Sequence, residues 1–161
     1  MPAGDVENYQ GAGTPTVISE GFDLFIGVYN ETGSALAEGD VVKVNPLNST
    51  TAGMYPQATV PATQAAIVHL IGVVNNAKMG SASIANASWG LVQIRGHCPK
   101  VATAGAVAAV DHQLITTNTT KTATSSGATT ESTAAFASAK STVGGAGFVS
   151  AWLHGRVISM T

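Results

Sequence analysis

The feature that most constrains this chain is its punctuation. Short runs of β-branched and aromatic residues are each closed within a few positions by Gly, Pro, Asn or Asp. Such runs occupy residues 24–29, 41–45, 67–74, 91–95, 113–117 and 148–160. Short strands bounded by turn formers are the sequence signature of an all-β sandwich or barrel. Apolar and polar residues alternate in Val41-Val42-Lys43-Val44 and Leu91-Val92-Gln93-Ile94-Arg95, as in strands that bury one face. The best helix candidate is residues 62–69, where Pro61 suits a first turn, but Ile67 and Val68 read equally well as the start of a strand. At most one short helix is expected.

Two segments break the pattern. Residues 1–20 hold Pro2, Gly4, Gly11, Gly13 and Pro15 without a sustained period, and read as an extended N-terminal arm before a single β-domain spanning 21–161. In residues 116–142, 15 of 27 positions are Ser or Thr, so this stretch stands apart from the strands around it. It reads as a long insertion with one weak strand near 134–138; the alternative is a pair of Thr-rich strands on a sheet face.

Charge narrows the function. Only 10% of residues are charged, against about 25% in ordinary domains, so much of the surface is hydroxyl and methyl or is covered by partners. The seven basic residues are scattered and the net charge is −2, which leaves no basic stripe to displace counterions from phosphates. Direct nucleic-acid binding is not expected. Residues 1–10 carry Asp5 and Glu7 and no apolar stretch, and the longest apolar run is interrupted by His69. Neither a standard secretory signal nor a membrane span is expected, and synthesis in a cytoplasm follows.

No residue set announces chemistry. A thiol nucleophile needs a base within reach, but strand neighbours face opposite ways, so adjacency argues against His97 meeting Cys98, and Cys98, just past a strand, reads as a buried filler. Asp111 reads as a turn residue with His112 at its exposed edge. The four histidines show no close metal-ligand spacing. Gly144-Gly145-Ala146-Gly147 lacks the Lys-Ser/Thr of a phosphate loop. The expectation is a non-enzymatic domain with no catalytic residues, cofactor or metal. Trp89 and Trp152 are candidate platforms for sugar rings, though core or interface anchoring is the plainer role for each.

The order of elements carries a resemblance. Gly39-Asp40-Val41-Val42-Lys43-Val44 is followed by Ile71-Gly72-Val73-Val74 and Gly90-Leu91-Val92-Gln93-Ile94-Arg95-Gly96. After these come Val101-Ala102-Thr103-Ala104-Gly105-Ala106-Val107 and Asp111-His112-Gln113-Leu114. From about Gly33 onward this resembles the capsid decoration (cement) proteins of tailed bacteriophages, with Val110 where their pattern has Gly. The resemblance implies a small β-barrel or β-tulip-like subunit, commonly a homotrimer, on the outer capsid surface of the virion. Its implied partner is the major capsid protein, and its implied role is to bridge neighbouring capsomers. Within that frame Tyr9, Val17, Ile18 and Phe22 are the expected partner-binding residues, because an extended arm adds affinity through backbone pairing. Other virion surface domains (head fibre or tail adhesin) and a carbohydrate-binding β-domain are the alternatives.

Overall fold

The computed structural model describes residues 17–50, 53–61, 67–116, 120–130, 134–155 and 157–160. The fold is all-β, as expected. The strands are β1 (Val17–Glu20), β2 (Asp23–Asn30), β3 (Leu36–Ala37), β4 (Val41–Thr50), β5 (Gly53–Thr59), β6 (Ile67–Val74) and β7 (Ser83–Ile84). They continue with β8 (Trp89–Thr103), β9 (Gln113–Thr116), β10 (Ala123–Ser125), β11 (Ala135–Ala139), β12 (Gly147–His154) and β13 (Val157–Met160). Among the described residues the sole helical element is one 3-10 turn, Ala77–Met79. Of the helix candidate, residues 67–69 open β6, and 62–66 lie outside the described residues.

Two closed circuits of backbone pairing share strand β8. In the first, β2 pairs β5, β5 pairs β4, β4 pairs β6, β6 pairs β8, and β8 returns to β2, closing a five-stranded barrel. In the second, β8 pairs β10, then β9, β11 and β12 follow, and β12 returns to β8. Closure leaves few strand edges exposed, and a ring this small is filled by its own side chains. Val28, Val42, Val44, Ala58, Val74, Val92 and Ile94 fill the first, beneath Leu36 and Ile84 of the two-stranded β3–β7 sheet. Leu114, Phe136, Ala137, Val149, Ala151 and Leu153 form the centre of the second.

The two cores are divided by strands that serve both. Val41 and Val73 join the second core, whereas the adjacent Val42 and Val74 join the first. Strands buried on both faces read as continuous apolar runs, which is why Val41-Val42 and Val73-Val74 do not alternate. The alternation seen in residues 91–95 suggested a half-buried strand; in the fold, Leu91 and Gln93 are buried as well as Val92 and Ile94.

β8 serves both circuits by bending at Gly96. Its φ is +94°, and a Cβ there would sit 2.8 Å from the Asp23 Cα, so only glycine fits. The fully buried Gln93 holds the bend: its amide donates to the carbonyls of Arg95 and His97, both at 3.1 Å, and accepts from Asn75 Nδ2 at 3.0 Å. On the other side Asp23 Oδ1 accepts from the His97 N–H at 2.9 Å. Register shifts in the β2 and β12 ladders flank the same place, as bulges do where a strand turns.

Two sequence expectations change here. The arm was expected to run to residue 20, but residues 17–20 form β1, paired antiparallel with β2 of the same chain. The Ser/Thr-rich stretch is not an insertion appended to the domain, because it supplies β10 and β11, two walls of the second circuit. The weak strand expected near 134–138 corresponds to β11. Ala135, Phe136, Ala137 and Ala139 are buried there, so one aromatic ring among alanines fills this side of the second core.

The circuits are also joined through Asp40 and Lys121. Asp40 Oδ2 accepts from the Ala37 N–H at 2.9 Å and lies 4.0 Å from Lys121 Nζ, while the Lys121 carbonyl accepts from the Val41 N–H at 2.8 Å. Burial raises the Asp40 pKa above its ordinary value, against the opposing pull of the Ala37 N–H and Lys121. A carboxyl whose folded pKa is raised stabilises the fold fully below its unfolded pKa and loses that contribution as pH rises through the folded value. In urea titrations across the range just above the ordinary carboxylate pKa, Asp40→Asn should flatten this part of the pH dependence; an unchanged slope would contradict the assignment. Gly96→Ala should cost about 2 kcal/mol or more in urea unfolding, by combining a strained φ with overlap at Asp23.

Candidate interaction surface

The bend at Gly96 also seats a hairpin. β1 and β2 are joined by Gly21-Phe22, with Glu20 opposite Asp23 and Gly21 at φ +61°. A two-residue hairpin turn with glycine at its first central position matches the right-handed twist of the strands. Phe22 therefore stands at the tip, 74% exposed. Because Asp23 is fixed to the His97 N–H, the Phe22 ring lies 6.4 Å from Trp152, tilted at 53°.

Trp152 belongs to β12, whose residues alternate cleanly. Val149, Ala151 and Leu153 point into the second core, and Phe148 and Trp152 point out, 52% and 39% exposed. Four residues along a strand separate these two by about 13 Å. Lys100 Nζ lies 4.6 Å from the centroid of the Phe148 ring and 3.6 Å from Glu38. Trp152 is flanked by its cross-strand partners, His97 on β8 and Ser138 on β11. Ser138 Oγ is bonded to His154 Nε2 at 2.9 Å and accepts from Gln113 Nε2 at 3.0 Å.

Phe22, Trp152 and Phe148 thus make a band of large rings on the outside of the second circuit and the adjoining hairpin. Aromatic side chains carry large apolar area with few rotatable bonds, which suits them to anchor a protein contact. The nearby ion pair of Lys100 and Glu38 is self-compensating and sets no net charge at the edge of the band.

The expected partner-binding residues fare differently. Phe22 lies in this band. Val17 and Ile18 have their backbones paired with Ile26 and Phe25 in β1, and Tyr9 lies outside the described residues. Sequence reading passed over Phe148 and treated Trp152 as a core or interface anchor. The period-two pattern in Phe148-Val149-Ser150-Ala151-Trp152-Leu153 is the signal that separates them: alternate residues face opposite sides, and the aliphatic set Val149, Ala151 and Leu153 takes the core.

The remaining candidates are dispersed. His97 is exposed while Cys98 is buried on the other side of β8, and burial pushes the Cys98 thiol up to about 11. His112 Nδ1 is 3.0 Å from Ser125 Oγ, and Asp111 occupies a turn at φ +65° paired with Lys140. The His69 side chain lies outside the described residues. Among the described residues no group of three or more His, Cys, Asp and Glu side chains is gathered to hold a metal ion. No helix among them is long and apolar enough to cross a membrane.

No family model matches the chain, and no curated protein matches it. Among solved structures, the head fibre gp8.5 N base of bacteriophage phi29 aligns over 85% of this chain and 98% of its own. The identity is 9% and the TM-score 0.46, a likeness that carries no argument about function.

A thiol both buried and protonated should be inert. At pH 8 Cys98 should react with a disulfide reagent only after denaturant is added, and prompt stoichiometric reaction of the native protein would contradict its placement.

Proposed function

We propose that this protein is a virion structural domain that docks on the outer surface of a tailed-phage capsid and stabilises it without catalysis. The observation that carries the reading is the exposed Phe22–Trp152–Phe148 band on a domain with only 10% charged residues. Such a surface is covered at little cost in desolvated charge and gains from the removal of apolar area from water. The order of Gly-punctuated strands, similar to that of decoration proteins, supports the same reading and supplies the partner, the major capsid protein.

In this proposal the subunit is a homotrimer that touches several capsomers at once, so that individually weak contacts add through effective concentration. The segment ahead of β1, with Tyr9, supplies a further contact, and the aromatic band supplies a rigid anchor. Attachment as part of a head fibre or tail adhesin uses the same band, and differs in what the domain carries rather than in how it docks.

Purified protein mixed with undecorated capsids should bind to saturation at a fixed ratio to the major capsid protein. The double variant Phe22→Ser, Trp152→Ser should weaken binding by about 1,000-fold, as expected when two aromatic anchors worth about 2 kcal/mol each are removed. Deletion of residues 1–16 leaves β1 in place and should weaken binding without lowering the melting temperature. Full-strength binding by both variants would sink the reading.

A further inference from the structure

The aromatic band has a charged neighbour on β8. Along β12, Leu153 points into the second core, so Trp152 and His154 on either side of it point out. Their cross-strand partners on β8 are His97 and Arg95, both exposed, and partners in an antiparallel pair share a face. Arg95 therefore stands one strand over and two residues along from Trp152, on the same outer surface.

Two properties set this arginine apart. Its stem is held: a Cβ on Gly155 would fall 2.8, 3.0 and 3.1 Å from Cβ, Cγ and Cδ of Arg95, so these methylenes lie directly over the Gly155 backbone. Its charge is not answered within the chain. Among the described residues the ion pairs are Lys100–Glu38, Lys121–Asp40 and Lys140–Asp111, and Arg95 belongs to none of them. Of the carboxylates bordering the band, Asp23 accepts from the His97 N–H and Glu38 faces Lys100. A guanidinium is a planar fork of N–H donors that meets a carboxylate through two parallel bonds. A stem already packed in place has less freedom to lose when the fork is engaged. A surface that closed over Trp152 and Arg95 without an acceptor would leave the cation desolvated and unpaired.

Resting on the docking reading above, we infer that the capsid surface met by the band presents a protein carboxylate to Arg95, beside apolar side chains for Phe22 and Trp152. The rings supply the apolar area, and the arginine fork supplies register and specificity. A carboxylate is favoured over a nucleic-acid phosphate because the seven basic residues are scattered and the net charge is −2, so no basic stripe continues from Arg95 along a phosphate backbone.

Undecorated capsids are titrated with the intact chain and with Arg95→Gln at low and at high salt. The unaltered chain should bind less tightly at high salt. Arg95→Gln should bind about 30-fold more weakly at low salt and lose most of the salt dependence, with an unchanged melting temperature. Capsids whose carboxylates have been converted to neutral amides with a carbodiimide and ethanolamine should bind the unaltered chain about as weakly as untreated capsids bind Arg95→Gln. The same treatment should not weaken that variant further. Undiminished binding by Arg95→Gln overturns the inference, as does full-strength binding of the unaltered chain to amidated capsids. A smaller sedimenting species for Arg95→Gln would put the carboxylate on a second copy of this chain, and duplex DNA binding that Arg95→Gln abolishes would put a phosphate there; either result overturns it too. Absence of any capsid binding by the unaltered chain sinks the docking reading itself. Binding that is lost in Phe22→Ser, Trp152→Ser but normal in Arg95→Gln sinks this inference alone.

Discussion

One strand, β8, takes part in two closed circuits of hydrogen bonds, and nearly everything else follows from how it does so. A straight strand of 15 residues would run past a small barrel on both sides. This one bends at Gly96, where a glycine φ, the Gln93 amide and the Asp23 carboxylate each supply a part that the others do not. The first half of the strand then closes one ring and the second half closes the other. The bend carries no hydrophobic burial of its own; it makes two small cores possible instead of one large one, with β4 and β6 as the wall that faces both.

The same bend decides the surface. Asp23 bonds to the backbone beside Gly96, and that bond sets the position of a two-residue hairpin whose tip is Phe22. Trp152 stands opposite His97, one position beyond the bend. The proximity of these two rings is therefore a consequence of the backbone arrangement of β8. Val149, Ala151 and Leu153 of β12 take its inward positions in the second core, beside Phe136 and Leu114, which leaves Phe148 and Trp152 to face outward.

Much of this was legible in the sequence, and the exceptions have physical reasons. Residues 24–29 and 113–116 fall on β2 and β9, and 67–74 coincides with β6, because apolar runs with turn formers at both ends resolve into strands. β8 was read as ending near Arg95, since Gly96 and Pro99 ordinarily close a strand; Gln93 and Asp23 satisfy the backbone across the bend and let it continue. β5 was missed because Pro56 sits in its middle. Pro56 lies where the β4 ladder shifts register between Asn45 and Asn48, at a bulge that tolerates a residue without an N–H. The Ser/Thr-rich stretch was read as a long insertion, yet Ala123, Ala135, Phe136, Ala137 and Ala139 within it are buried in or beside the second core. Of the surface, Phe22 was named with the arm, whereas its partnership with Trp152 depends on a contact between residues 130 positions apart.

The central claim is that the band of Phe22, Trp152 and Phe148 meets the capsid. The most direct measurement is a cryo-EM reconstruction of undecorated capsids saturated with the protein. The account predicts that the β1–β2 hairpin tip and the outer face of β12 lie in density continuous with the coat subunits, with the Trp89 end directed away. A reconstruction with the aromatic band facing solvent and another surface of the domain against the shell would contradict it.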